Sequence, residues 1–74
     1  MKIKKDTLLN VNHSRSGKWV GIATDDFDTE KDEWYPIALA QEAEVHRLNT
    51  FWEKGENMPA RRGLCTVEIK EVKN

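Results

Sequence analysis

Seventy-four residues with 12 Lys and Arg against 13 Asp and Glu carry a formal net charge of −1, far from the charge excess of a disordered chain. Three Trp, two Phe and one Tyr supply a core to collapse on, so 1–74 reads as a single small globular domain of a few kcal/mol stability. The single Cys65 excludes an internal disulfide and a cysteine-rich zinc site, and no segment approaches the roughly 20 apolar residues of a membrane span.

The basic start, MKIKKDTLLNVN, leads into no apolar run of the kind a signal peptide needs, and the expected compartment is the cytoplasm. The sequon NHS at 12–14 is then a chance match. Within TLLNVN (7–12), Leu8, Leu9 and Val11 are β-compatible. Ser14, Ser16 and Gly17 supply a turn, and KWVGIAT (18–24) is rich in aromatic and β-branched residues. Two such runs around a short Gly-containing link predict a β-hairpin. Gly21, inside the second strand, predicts a bulge or a close backbone approach.

The acidic stretch DDFDTEKDE (25–33) comes next, and the segment after it supports two readings. Ile37, Ala40, Leu48, Phe51 and Trp52 fall on one face at helical spacing, with Val45 at its margin. Pro36 suits a first helical position and Gly55 a position just past the last. Alternation of Tyr35, Ile37 and Leu39 with Trp34, Pro36 and Ala38 reads instead as a strand. The helix, over roughly 37–54, is the favoured expectation. GENMPARRG (55–63) is a loop by composition. LCTVEIKEV (64–72) is the clearest strand, with Leu64, Thr66, Glu68 and Lys70 opposing Cys65, Val67, Ile69 and Val72 and a slip near its end. The expected fold is α+β: a β-hairpin, one helix and a closing strand, forming a small three-stranded sheet with the helix on one face. The alternative is a small all-β SH3-like barrel in which 34–40 and 45–52 are both strands.

Chemistry-bearing patterns are sparse. Asp26, Asp28, Glu30 and Asp32 alternate as at the start of a calcium loop. An EF-hand counted from Asp26 needs Gly and Glu where Lys31 and Ile37 stand. Two histidines cannot complete a structural zinc site, and the four glycines are isolated, so no phosphate loop and no metal or cofactor is expected. Cys65 with His13 or His46 could form a nucleophile and base, but Cys65 alternates in phase with Val67 and Ile69 as a small hydrophobe does. His13 falls in the hairpin turn, where its ring needs no special role. So short a chain rarely walls off a substrate pocket, and the expectation is a protein that is not an enzyme.

Two surfaces then compete, each against a simpler reading: the acidic stretch as a solvated connection that keeps a strand edge from pairing with other chains, and the basic residues as a solvated face. Residues 25–33 hold six acids against one lysine, and Phe27 or Trp34 could anchor a protein partner there. This surface comprises Asp25, Asp26, Phe27, Asp28, Asp32 and Trp34, and it makes the chain a non-enzymatic accessory protein that binds another protein. The alternative is a nucleic-acid-binding module using Arg15, Lys18, Trp19, Arg61 and Arg62, a basic hairpin tip with a stacking indole. The overall charge of −1 argues against it, although the residues outside 25–33 carry 11 bases against 7 acids. Arg61 and Arg62 could equally pair with the acidic stretch, and the three tryptophans are expected to meet in the core.

Overall fold

The computed structural model describes the backbone of residues 1–40, 43–45, 50–52 and 54–72, and the side chains of 1–40 and 54–70. Its elements in chain order are strands: β1 (Lys2–Ile3), β2 (Thr7–His13), β3 (Gly17–Ala23), β4 (Phe27–Asp28), β5 (Trp34–Tyr35), β6 (Ile37–Leu39), β7 (Ala43–Val45), β8 (Thr50–Trp52), β9 (Ala60–Arg61) and β10 (Cys65–Val72). All of their pairings are antiparallel. β10, β2, β3 and β6 form a four-stranded sheet in that order, and β1–β4, β5–β9 and β7–β8 are two-stranded ribbons.

The hairpin β2–β3 lies where the pattern predicts it, with His13 opposite Gly17 and Leu8 opposite Ile22. Its three-residue link closes on Gly17, whose φ of 78° is a left-handed conformation that glycine adopts without steric cost. Period-two alternation assigns the faces. Thr7, Leu9, Val11 and His13 of β2 and Trp19, Gly21 and Ala23 of β3 point into the core, while Asn10, Asn12 and Lys18 face solvent. Gly21 marks a close approach. A Cβ there would collide with Ile37 Cγ2 and would lie 2.9 Å from the Trp19 ring and 3.2 Å from the Ala38 carbonyl oxygen.

The α+β expectation is overturned: no helix occurs among the described residues, and the predicted helix over 37–54 is replaced by β6, β7 and β8 wherever that span is described. Residues 41, 42, 46–49 and 53 of the predicted helix, His46 and Leu48 among them, lie outside the described residues, as do the side chains of Val45, Phe51 and Trp52. The reason is hydrogen bonding at both edges of β6. On one side it pairs with β3, Ile37 opposite Ala23 and Leu39 opposite Gly21. On the other, Leu39 N–H donates to Glu56 C=O at 2.7 Å, Gly55 N–H to Leu39 C=O at 2.7 Å and Met58 N–H to Ile37 C=O at 2.9 Å. Ile37, Ala38 and Leu39 are all buried, a continuous apolar run rather than a helical stripe. Helix propensities of a few tenths of a kcal/mol for Ala and Leu do not outweigh that ladder and burial. β6 also makes the sheet four-stranded, not three-stranded. The strand character of 34–40 follows the all-β alternative, and the pairings among the described residues form one four-stranded sheet and three two-stranded ribbons.

The core beneath the sheet gathers Ile3, Leu9, Val11, Trp19, Ala23, Phe27, Tyr35, Ile37, Leu39, Met58 and Ala60. The β1–β4 ribbon places Ile3 opposite Phe27 and so ties the chain start to the acidic segment. β10 follows the predicted alternation, and its slip is a register shift between Ile69 and Glu71.

Candidate interaction surface

The acidic segment is built around its own backbone. Asp28 Oδ1 accepts from Glu30 N–H at 2.9 Å, Asp32 Oδ2 from Asp28 N–H at 2.7 Å and Asp25 Oδ1 from Asp26 N–H at 2.8 Å. Asp26 Oδ1 accepts from Lys5 N–H at 2.7 Å. The first three are local bonds in which a short acidic side chain satisfies free N–H groups of its own segment, and the fourth ties the segment to the chain start. They explain why aspartates recur here without invoking a ligand. The Glu30 N–H bond, opposed by burial and aided by the nearby terminal ammonium and Lys31, holds the Asp28 carboxyl below the usual carboxylate range. Among the described residues no group of three or more His, Cys, Asp or Glu is arranged to hold a metal ion.

Phe27 is tucked under this segment, 6% exposed and stacked on Tyr35 with ring centroids 5.0 Å apart. Tyr35 donates its hydroxyl to Thr29 C=O at 2.7 Å, and burial pushes its phenol above the ordinary tyrosine value. The pair fastens the acidic segment to the core. Phe27 is therefore spent internally, and of the two candidate anchors only Trp34 faces solvent.

Trp34 is 59% exposed, the most exposed of the large apolar side chains among the described residues. It alternates with buried Tyr35 on β5 and stands opposite Arg61 of β9. That register places the Arg61 guanidinium 5.5 Å from the indole centroid, within cation–π range. Arg61 also pairs with Glu33, and Arg62 donates from its backbone N–H to Glu33 C=O at 2.8 Å and from its side chain to Glu30 C=O. The expected pairing of these arginines with the acidic stretch is thus present within one chain. The result is an exposed indole framed by Glu33, Arg61 and Arg62 beside the acidic turn.

No protein-family model matches the chain, and no curated protein or solved structure is detectably similar to it. Its own geometry has to carry the functional reading.

The nucleic-acid candidates are dispersed in role. Trp19 is 6% exposed, and its Nε1–H donates to Ser16 Oγ at 2.9 Å, so it has no free face for a base. Arg15 and Lys18 are exposed at the hairpin, while Arg61 and Arg62 serve the acidic segment. His13, expected as an unremarkable turn residue, is buried, and its Nδ1 accepts the N–H groups of Arg15 and Ser16 at 3.0 and 3.4 Å. It is a cap for the hairpin turn, a role that side-chain type alone does not announce. Cys65 is half-buried; burial pushes its thiol up, and it donates to Arg61 C=O at 3.5 Å. No helix among the described residues is long and apolar enough to cross a membrane.

Proposed function

We propose that the chain is a non-enzymatic protein-binding module whose contact centre is Trp34. One observation carries this reading: a tryptophan 59% exposed on a paired strand, with an arginine set over its ring. Trp and Arg are the residue types that dominate binding hot spots, and exposing an indole gives the isolated chain no hydrophobic return. Asp25, Asp26, Asp28 and Asp32 form an acidic flank that favours a partner with an apolar pocket and a basic rim. The buried faces of Phe27 and Trp19 leave the anchor role to Trp34 and weaken the nucleic-acid alternative.

The test is affinity capture with the purified protein, comparing wild type, Trp34→Ala and Asp26→Lys with Asp32→Lys. The proposal expects a defined protein retained by wild type and lost from both variants, with Trp34→Ala the more severe. Equal capture by all three would overturn it. A short DNA duplex held at physiological salt, and lost on Arg15→Ala with Lys18→Ala, would put the nucleic-acid reading in its place.

A further inference from the structure

The exposed indole of Trp34 already holds a cation of its own chain. The Arg61 guanidinium lies 5.5 Å from the ring centroid, and its Nη2 also bonds the Glu33 carboxylate. Glu33 and Trp34 are consecutive, and Trp34 stands opposite Arg61 in the β5–β9 ribbon, so the three side chains meet at one exposed spot. An aromatic face beside a carboxylate is the pair of contacts by which a protein surface holds a guanidinium. Both contacts are weak when exposed to water and salt. Arg61 serves the fold through its backbone instead: its strand pairs with β5, and its C=O accepts the Leu64 N–H at 3.0 Å and the Cys65 thiol at 3.5 Å. The side chain can swing away with those bonds intact.

We infer, building on the reading of Trp34 as the contact centre, that the site takes an arginine side chain of a basic partner segment, for which Arg61 is the internal stand-in. The incoming guanidinium displaces Arg61 from the indole and from Glu33, and Arg61, whose side chain is 46% exposed, returns to water. Exchanging one guanidinium for another keeps both contacts. Charge favours the newcomer. Residues 25–33 hold six acids and one lysine, and with Arg61 and Arg62 added the neighbourhood stands at −3, six acids against three bases. A lysine ammonium is a compact, strongly hydrated point charge, and it cannot lie flat on the indole while reaching Glu33 with a second N–H. An aliphatic occupant would strip water from the Glu33–Arg61 pair and offer no contact in its place.

Two blocked pentapeptides, Gly-Arg-Gly-Arg-Gly and Gly-Lys-Gly-Lys-Gly, titrated into the isotope-labelled protein at physiological salt, test this by NMR. Binding is read at the Trp34 indole N–H and at the backbone amides of residues 30–35 and 60–62. The arginine peptide is expected to bind about fivefold tighter than the lysine peptide. Trp34→Ala should erase that preference, and Glu33→Gln should weaken arginine binding about threefold. Each substitution changes an exposed side chain and leaves the backbone pairing in place. Arg61→Ala is the distinguishing variant. It makes the surface more negative, which acts on both peptides alike, but it also removes the stand-in that only arginine has to displace. The ratio of arginine to lysine affinity should therefore rise about threefold. Equal affinity for the two peptides, or a ratio that Arg61→Ala leaves unchanged or lowers, would overturn the inference. Should the peptides show no preference while Trp34→Ala still abolishes capture of a protein, the contact centre stands and its arginine ligand falls.

Discussion

Trp19 and Trp34 each stand on a strand directly after a charged residue, Lys18 and Glu33, yet one is 6% exposed and the other 59%. Trp19 shares the inward phase of β3 with Gly21 and Ala23 and faces Val11 across the hairpin. Trp34 sits one residue out of phase with buried Tyr35 and faces Arg61. The chain also completes Trp19's polar needs internally, through Ser16, whereas Trp34 has an exposed cation set over its ring. Which indole serves the fold and which stays at the surface is thus decided by strand phase, not by residue type or by local polarity.

The largest effect expected from breaking this comparison is at Trp19. Trp19→Ala removes a buried indole from a small core and should cost about 3–5 kcal/mol, enough to leave the chain largely unfolded by circular dichroism. Gly21→Ala attacks the same seat less severely. The added methyl meets Ile37, the Trp19 ring and the rigid Ala38 carbonyl, for an expected loss of about 1–3 kcal/mol in urea unfolding.

These two sites also mark how much was legible beforehand. The hairpin, the last strand with its slip, and the close approach at Gly21 were readable because each has a short-range signature: alternation, turn residues, or a glycine where β-branched residues dominate. Residues 37–39 were not, because Ala and Leu suit a helix and the decision rests on backbone partners at 21–23 and 55–58. The phases of Phe27, Trp34 and Tyr35 were hidden for a related reason. β4 and β5 are two-residue strands, too short to show a period, and only their pairing with β1 and β9 orients them. Nor does a row of aspartates reveal that it will cap its own turn. Trp19 was expected in the core, and the basic tip competed as a nucleic-acid surface only because Arg15 and Lys18 stand beside that indole in the sequence.

Smaller effects sharpen the contrast on the Trp34 side. Tyr35→Phe keeps the stack on Phe27 but removes the bond to Thr29, costing about 1 kcal/mol and speeding amide exchange across 28–32. Burial raises the Tyr35 phenol, so its share of stability is whole below the ordinary tyrosine value and lost as pH rises through the raised one. Asp28 behaves in the opposite sense. Its folded-state value is depressed, so its contribution is complete above the ordinary carboxylate value and disappears as pH falls through the lowered one. Asp28→Asn should therefore flatten the acid limb of a stability–pH profile while leaving the alkaline limb in place.

The smallest effect of all is the most direct test of the claim that Trp34 is held outward, free of the fold. Thermal unfolding of Trp34→Ala should shift by less than about 4 °C from wild type, since an exposed side chain held against an exposed arginine contributes within about 0.5 kcal/mol. A loss comparable to that of Trp19→Ala would mean that Trp34 is a structural residue, and the binding surface assigned to it would have to be abandoned.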